Sequence, residues 1–203
     1  MRRIEEYWYK FKYSDAAYAD GSGADGRASG VWTVIYDVVS AVAEAVILLV
    51  LLFSLVFRPA SVIGDSMLPT FSNGDRVGCV HSFTGYKYGD VVIISDATKY
   101  GEPVIKRVIA TAGDTVDINF YSGVVSVNGN ELSETYVNTP TNLSFDVSFP
   151  VTVPEGCLFV LGDNRNDSKD SRSSEIGFVN ENKVLGKVVF RFYPFNRIGI
   201  VKN

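Results

Sequence analysis

Gly123-Val124-Val125-Ser126-Val127-Asn128-Gly129 is a short β-branched run that stops at Asn-Gly, the residue pair that best tolerates the two left-handed conformations of a tight hairpin turn. It decides the class of the region around it. Similar runs of strand length and composition stand at Arg76–Val80, Val91–Ser95, Val104–Thr111, Thr115–Asn119, Leu158–Leu161 and Lys187–Tyr193, separated by glycine-bearing turns. No long window after Arg58 has helical periodicity. The expectation is a mainly β, antiparallel domain over residues 59–203, with Tyr136 to Pro150 as a long surface excursion and Ala112-Gly113-Asp114 as a turn.

Upstream the character changes. Val38 to Phe57 is almost wholly apolar, and about twenty residues rising about 1.5 Å each span a hydrocarbon core of about 30 Å. This predicts one transmembrane helix, the anchor being 31–58 with its core span at 38–57. A cleaved leader is the rival reading, disfavoured by the length of the polar segment before the apolar run and by the lack of small residues at its end. Glu44 lies inside the span on about the face of Asp37, and is read as reaching the headgroups or protonated. Residues 1–30 are polar and glycine-rich towards their end, as expected of a flexible tail, with an aromatic patch at Trp8 to Lys12. Arg2, Arg3, Lys10, Lys12 and Arg27 precede the span and Arg58 follows it, which leans towards a cytoplasmic N-terminus.

The whole chain has 203 residues, a formal net charge of -4 and a pI near 5.0. That balance argues against a nucleic-acid footprint. The two cysteines, Cys79 and Cys157, sit in different apolar runs and read as small buried hydrophobes rather than a disulfide. With one histidine, His81, a His-rich metal site is excluded and a structural role is the first reading. Neither metal nor cofactor is expected.

The chemistry concentrates in three stretches. In Gly64-Asp65-Ser66-Met67-Leu68-Pro69-Thr70 a turn closed by proline exposes a serine hydroxyl, and in Pro103-Val104-Ile105-Lys106-Arg107-Val108-Ile109-Ala110 a lysine is set among apolar neighbours. Burial removes the solvation of an ammonium and lowers its pKa, so that a neutral amine becomes available as a base. The third stretch, Gly162-Asp163-Asn164-Arg165-Asn166-Asp167-Ser168-Lys169-Asp170-Ser171-Arg172, is a polar loop after a buried strand. Asp163 with Arg165 and Asp170 with Arg172 are placed to hold it rigid, and Ser168 to bond an amine.

Taken in order, together with Gly89-Asp90-Val91-Val92, the continuation to Ala112-Gly113-Asp114 and the later Gly177-Phe178-Val179, these motifs resemble the bacterial type I signal peptidases over about residues 60 to 195. The resemblance implies an antiparallel β catalytic domain of signal-peptidase type and a serine endopeptidase that removes signal peptides from exported preproteins, cutting after small residues. It implies Ser66 as nucleophile, Lys106 as general base, and support from Ser168, Asp170, Arg172, Asp163 and Arg165. An extended peptide would add as a strand near Ser61–Gly64 and Glu102–Ile105, with Val62, Ile63, Gly64, Met67, Phe71, Val104 and Ile105 at the substrate. The partners implied are signal peptides and the lipid bilayer, with no nucleic acid and no metal, in a monomer held single-pass in the cell membrane with its catalytic domain outside.

Two positions depart from the family pattern. Gly64 stands where some members place a serine that donates to the oxyanion, and Ala112 where a proline is usual. Rival readings are a self-cleaving repressor protease, which calls for a DNA-binding domain in place of the membrane span, a eukaryotic-type signal peptidase, which has histidine at the position of Lys106, and a tethered module that only captures peptides.

Overall fold

The computed structural model describes residues 25–95 and 101–201. Most of the expected polar tail, including the Trp8 to Lys12 patch, lies outside the described residues. The chain divides into two units, Met1–Leu51 and Leu52–Asn203.

The first is built on α1, Asp25–Val56. Its stretch Gly30–Leu51, 22 residues with none buried, is long and apolar enough to cross a membrane. Trp32, Tyr36 and Leu48 are all exposed, so the helix offers apolar surface on several sides, as a segment solvated by lipid does. The apolar stretch begins eight residues before the expected core span at 38–57, because Val31, Trp32, Val34 and Ile35 extend it past Asp37. At the other end Phe57 is not helical: it opens a strand, Phe57–Ser61 (β1).

In the second unit every strand pairing is antiparallel. After β1 come β2 (Arg76–Val80), β3 (Val91–Ile94), β4 (Val104–Thr111), β5 (Thr115–Asn119), β6 (Val124–Val127), β7 (Asn130–Glu131), β8 (Val151–Thr152), β9 (Cys157–Leu161), β10 (Val179–Asn180), β11 (Val184–Tyr193) and β12 (Gly199–Ile200). The larger sheet runs β1-β2-β11-β3-β4-β9-β10, with β12 also paired to β11, and the smaller runs β7-β6-β5-β8. Seven strands match the expected ones closely. The strands absent from the sequence reading are β1, which opens on the last residue of the apolar run and continues through Arg58 and Pro59, and four two-residue strands too short for any alternation to register.

Alternation accounts for the centre of the large sheet. Val91 and Ile93 of β3 enter one apolar cluster with Val62, Met67, Phe71 and Ile105, and Val92 and Ile94 enter another with Val108, Leu158 and Val160. Successive side chains of a strand point to opposite faces, and here both faces are covered. A third cluster, of Ile109, Val116, Ile118, Val125, Phe159 and Leu161, joins the sheets. β11 lies between β2 and β3 and pairs with both, Lys187 facing Val80 on one side and Val92 on the other, with register shifts along its length that bend the strand. In the β6–β7 hairpin Asn128 and Gly129 both have positive φ, 54° and 78°, as a two-residue turn of that hand requires. Cys79 and Cys157 are both free, and His81 is exposed, its ring edge-on to Phe83.

Candidate active site

β4 supplies the central residue. Six consecutive positions, Ile105 to Ala110, are buried, so Lys106 is carried inside by its strand and is only 3% exposed. Its Nζ donates to Ser66 Oγ at 2.8 Å. Burial lowers the Lys106 pKa from 10.5 to about 8; the negative charges of Asp170 and Asp163 hold it up against that, and Arg172 adds to the lowering. Loss of hydration is the dominant cause, and the two carboxylates limit the drop.

Ser66 sits half-buried in a turn in which Leu68 N–H donates to Asp65 O. Asn164 from the third stretch fastens that turn, its backbone N–H donating to Ser66 O at 3.0 Å and its side chain to Asp65 O at 3.1 Å. The approach is close enough to demand glycine at 162, where an added Cβ would stand 2.1 Å from Ser168 Oγ and 2.6 Å from Ser66 O. Gly64 has φ +82° and gives its N–H to Asn73 Oδ1 at 3.1 Å, so that N–H is committed away from any substrate.

The loop's ion pairs differ in part from the expected ones. Arg172 does grip Asp170, at 2.8 and 2.9 Å. Asp163 and Arg165, however, are not each other's partners. Asp163 pairs through both oxygens with Arg107, at 2.8 and 2.7 Å, and accepts from Thr70 Oγ1 at 2.5 Å. Arg165 pairs through both amino nitrogens with Glu134, at 2.8 and 2.5 Å, and donates to Thr141 Oγ1. All three arginines are buried, and a buried guanidinium needs a carboxylate in fork geometry wherever the fold can bring one. Proximity in sequence does not decide which.

Ser168 is buried beside the same turn, yet its Oγ has no hydrogen-bond partner among the described residues; the expected bond to the Lys106 amine is not formed. The 136–150 excursion is not a mere surface loop either. Thr141 is buried, Arg172 donates to Leu143 O at 2.7 Å, and Asn166 Oδ1 accepts from the Asn142 and Leu143 N–H groups.

A cleft of about 650 Å³ opens onto the pair, lined by residues including Ser61, Val62, Ile63, Glu102, Val104, Ile105, Ser66 and Lys106. Ile63 is 85% exposed. Of the other expected substrate residues, Met67 and Phe71 are 0% and 1% exposed and belong to the core beneath the turn, because both point into the cluster of Val77 and Val91. Gly64 shapes the turn without lining the cleft. The sequence reading gave no role to Arg107, Thr70, Asn164 and Glu134. The first three stand within the quoted stretches, which was their signal; Glu134 lies outside them, and its partner Arg165 is 31 residues away.

The site thus brings a buried amine within hydrogen-bond reach of a turn serine, beside a largely apolar cleft. The family model described as signal peptidase, peptidase S26, matches residues 35–193. The chain is 34% identical over 83% of its length to a probable signal peptidase I-1 of Synechocystis, covering 87% of that protein. It is 36% identical to a signal peptidase I of Bacillus licheniformis, covering 81% of this chain and 91% of the relative, and 32% identical to signal peptidase IB of Staphylococcus aureus, covering 80% and 91%. A crystal structure of a signal peptidase I from Enterococcus faecalis aligns over 52% of this chain and 98% of its own, with 33% identity and a TM-score of 0.43. The chain belongs to the signal peptidase family, peptidase S26, and is a peptidase by that membership.

Proposed function

We propose that this protein is a membrane-anchored serine endopeptidase that removes signal peptides by cutting after small residues, with Ser66 as nucleophile and Lys106 as general base. The observation that carries the reading is the 2.8 Å contact between Lys106 Nζ and Ser66 Oγ, within the reach that proton transfer requires. Ser66 Oγ attacks the scissile carbonyl as Lys106 takes its proton and then delivers it to the leaving amine. Water, deprotonated by the same amine, releases the acyl group from Ser66. The Ser66 backbone N–H stabilises the oxyanion, and Gly64, having neither a hydroxyl nor an uncommitted N–H, supplies no second donor.

Substrate seating follows from the sheet. β9 reaches β4 only as far as the Leu161–Arg107 pair, so among the described residues Val104 to Lys106 have no strand neighbour on that side. An extended peptide fits there as an added strand, its alternate side chains directed at Ile63, Val104 and Ile105. The shallow apolar lining suits alanine-sized residues at the first and third positions before the cut. Ser168, whose Oγ has no hydrogen-bond partner among the described residues, is read as the group that accepts from the Lys106 amine and fixes its direction once substrate is bound. Asp170 with Arg172 and Asp163 with Arg107 hold the floor beneath it. α1 is the anchor, with a cytoplasmic N-terminus and the β unit on the outer face.

The test is cleavage of a preprotein by the detergent-solubilised chain. Ser66→Ala and Lys106→Ala are each expected to abolish it at every accessible pH. Cleavage surviving in Ser66→Ala would sink the serine assignment, and activity of Lys106→Ala at high pH would point to another base.

A further inference from the structure

We propose that Glu134 and Tyr136, in the segment after β7, are positioning residues for the Ser66–Lys106 pair, acting as a clamp on the two buried arginines that hold the 162–172 loop. Glu134 closes on Arg165 with both carboxylate oxygens, at 2.5 and 2.8 Å, and is largely buried itself. The Tyr136 ring lies over the Arg107 guanidinium, 3.9 Å from its centroid to Cζ, and Arg107 is the group that grips Asp163. The Tyr136 hydroxyl donates to Glu134 Oε1 at 2.8 Å. One phenol and one carboxylate therefore tie together the two cations. Burial, with Glu134 alongside, pushes the Tyr136 pKa up, so the hydroxyl keeps its proton and remains a donor.

The clamp reaches the pair through the loop. Arg165 Nε donates to Gly162 O, and Gly162 N–H donates to Asp170 Oδ2; Asp163 follows Gly162 directly. Asp163 and Asp170 are the two carboxylates that act on the Lys106 charge, Arg172 from the same loop opposes them, the Ser66 hydroxyl meets the amine from the turn, and Glu102 lines the same cleft. No hydrogen bond joins Glu134 or Tyr136 to Ser66 or Lys106 among the described contacts. With Ser66 as nucleophile and Lys106 as base, as proposed above, the clamp keeps water off Arg107 and keeps the carboxylates at fixed distances from the amine. Without it, water entering beside Arg107 solvates and so favours the ammonium, and the pH at which the amine becomes free rises.

The experiment measures kcat and KM against pH for the full chain in detergent, on a peptide spanning a signal-peptide cleavage site. Tyr136→Leu is expected to move the rising limb of kcat about one pH unit towards alkali and to lower kcat at pH 7 about tenfold. KM should stay within about twofold, with activity recovered near pH 10. Tyr136→Phe, which keeps the ring on Arg107, should shift the limb by less, and Glu134→Gln in the same direction as Tyr136→Leu. Val125→Ala, in the core joining the two sheets, loses stability without moving the limb. Should Glu134→Gln fail to fold, the two Tyr136 variants decide the matter. A limb unmoved in Tyr136→Leu, or moved equally in Val125→Ala, overturns the clamp while leaving Ser66 and Lys106 in place. Cleavage surviving in Ser66→Ala, run in parallel, overturns the reading of the pair and the clamp's role with it.

Discussion

Lys106 is costly to the fold that holds it. Its amine titrates near 8 in the folded protein and near 10.5 when solvated, so between those values the unfolded chain binds more protons and stability rises with pH. Below about pH 8 the cost is present in full, and the drop corresponds to about 3 kcal/mol. Lys106→Met removes that cost and forfeits one hydrogen bond worth about 1 kcal/mol. The variant should be inactive yet about 2 kcal/mol more stable than the parent at pH 7, with the advantage gone by about pH 10. Thermal unfolding across that range checks this; an offset that ignores pH would argue that Lys106 is not a buried amine at all. With Lys106 as the proposed base, which must be neutral to act, the same titration would set activity, and cleavage should climb through about pH 8.

At the scale of elements, the decisive contact is between the Ser66 turn and the loop that follows β9. Gly162 is where they touch, and a methyl group there has nowhere to go. Gly162→Ala should cost about 1–3 kcal/mol through overpacking. It should also lower kcat about a hundredfold, because moving the serine by about an ångström spoils the attack geometry. Gly129→Ala is the contrast: φ is +78° and space is open, so it strains the β6–β7 hairpin by about 1–2 kcal/mol and should leave kcat alone. Equal losses of kcat in both would mean that general destabilisation, not contact with Ser66, sets the rate.

For the molecule as a whole, α1 as the proposed anchor would set where the peptidase works. Its 22-residue apolar stretch measures about 33 Å along the axis, enough for a hydrocarbon core of about 30 Å. The full chain in cells should stay in the membrane fraction after alkaline carbonate and high salt, and added protease should digest the β unit from the outer side only. Release by carbonate would demote α1 to a peripheral segment, and protection of the β unit would reverse the proposed orientation.

The antiparallel β class, seven of the strands and the Asn128–Gly129 hairpin follow from the sequence alone, because strand alternation and turn chemistry are local properties of a few consecutive residues. The apolar setting of Lys106 was legible for the same reason: its neighbours along β4 are apolar and mark that run for the core. Partner choice was not. Asp163 turned from nearby Arg165 to Arg107, 56 residues away, and Arg165 took Glu134, 31 residues away. Met67 and Phe71 went into the core instead of the cleft. Charges and apolar side chains carry no record of which partner they will meet; the crossing of β4, the Ser66 turn and the 162–172 loop decides that, since a buried arginine accepts whichever carboxylate the backbone brings within reach.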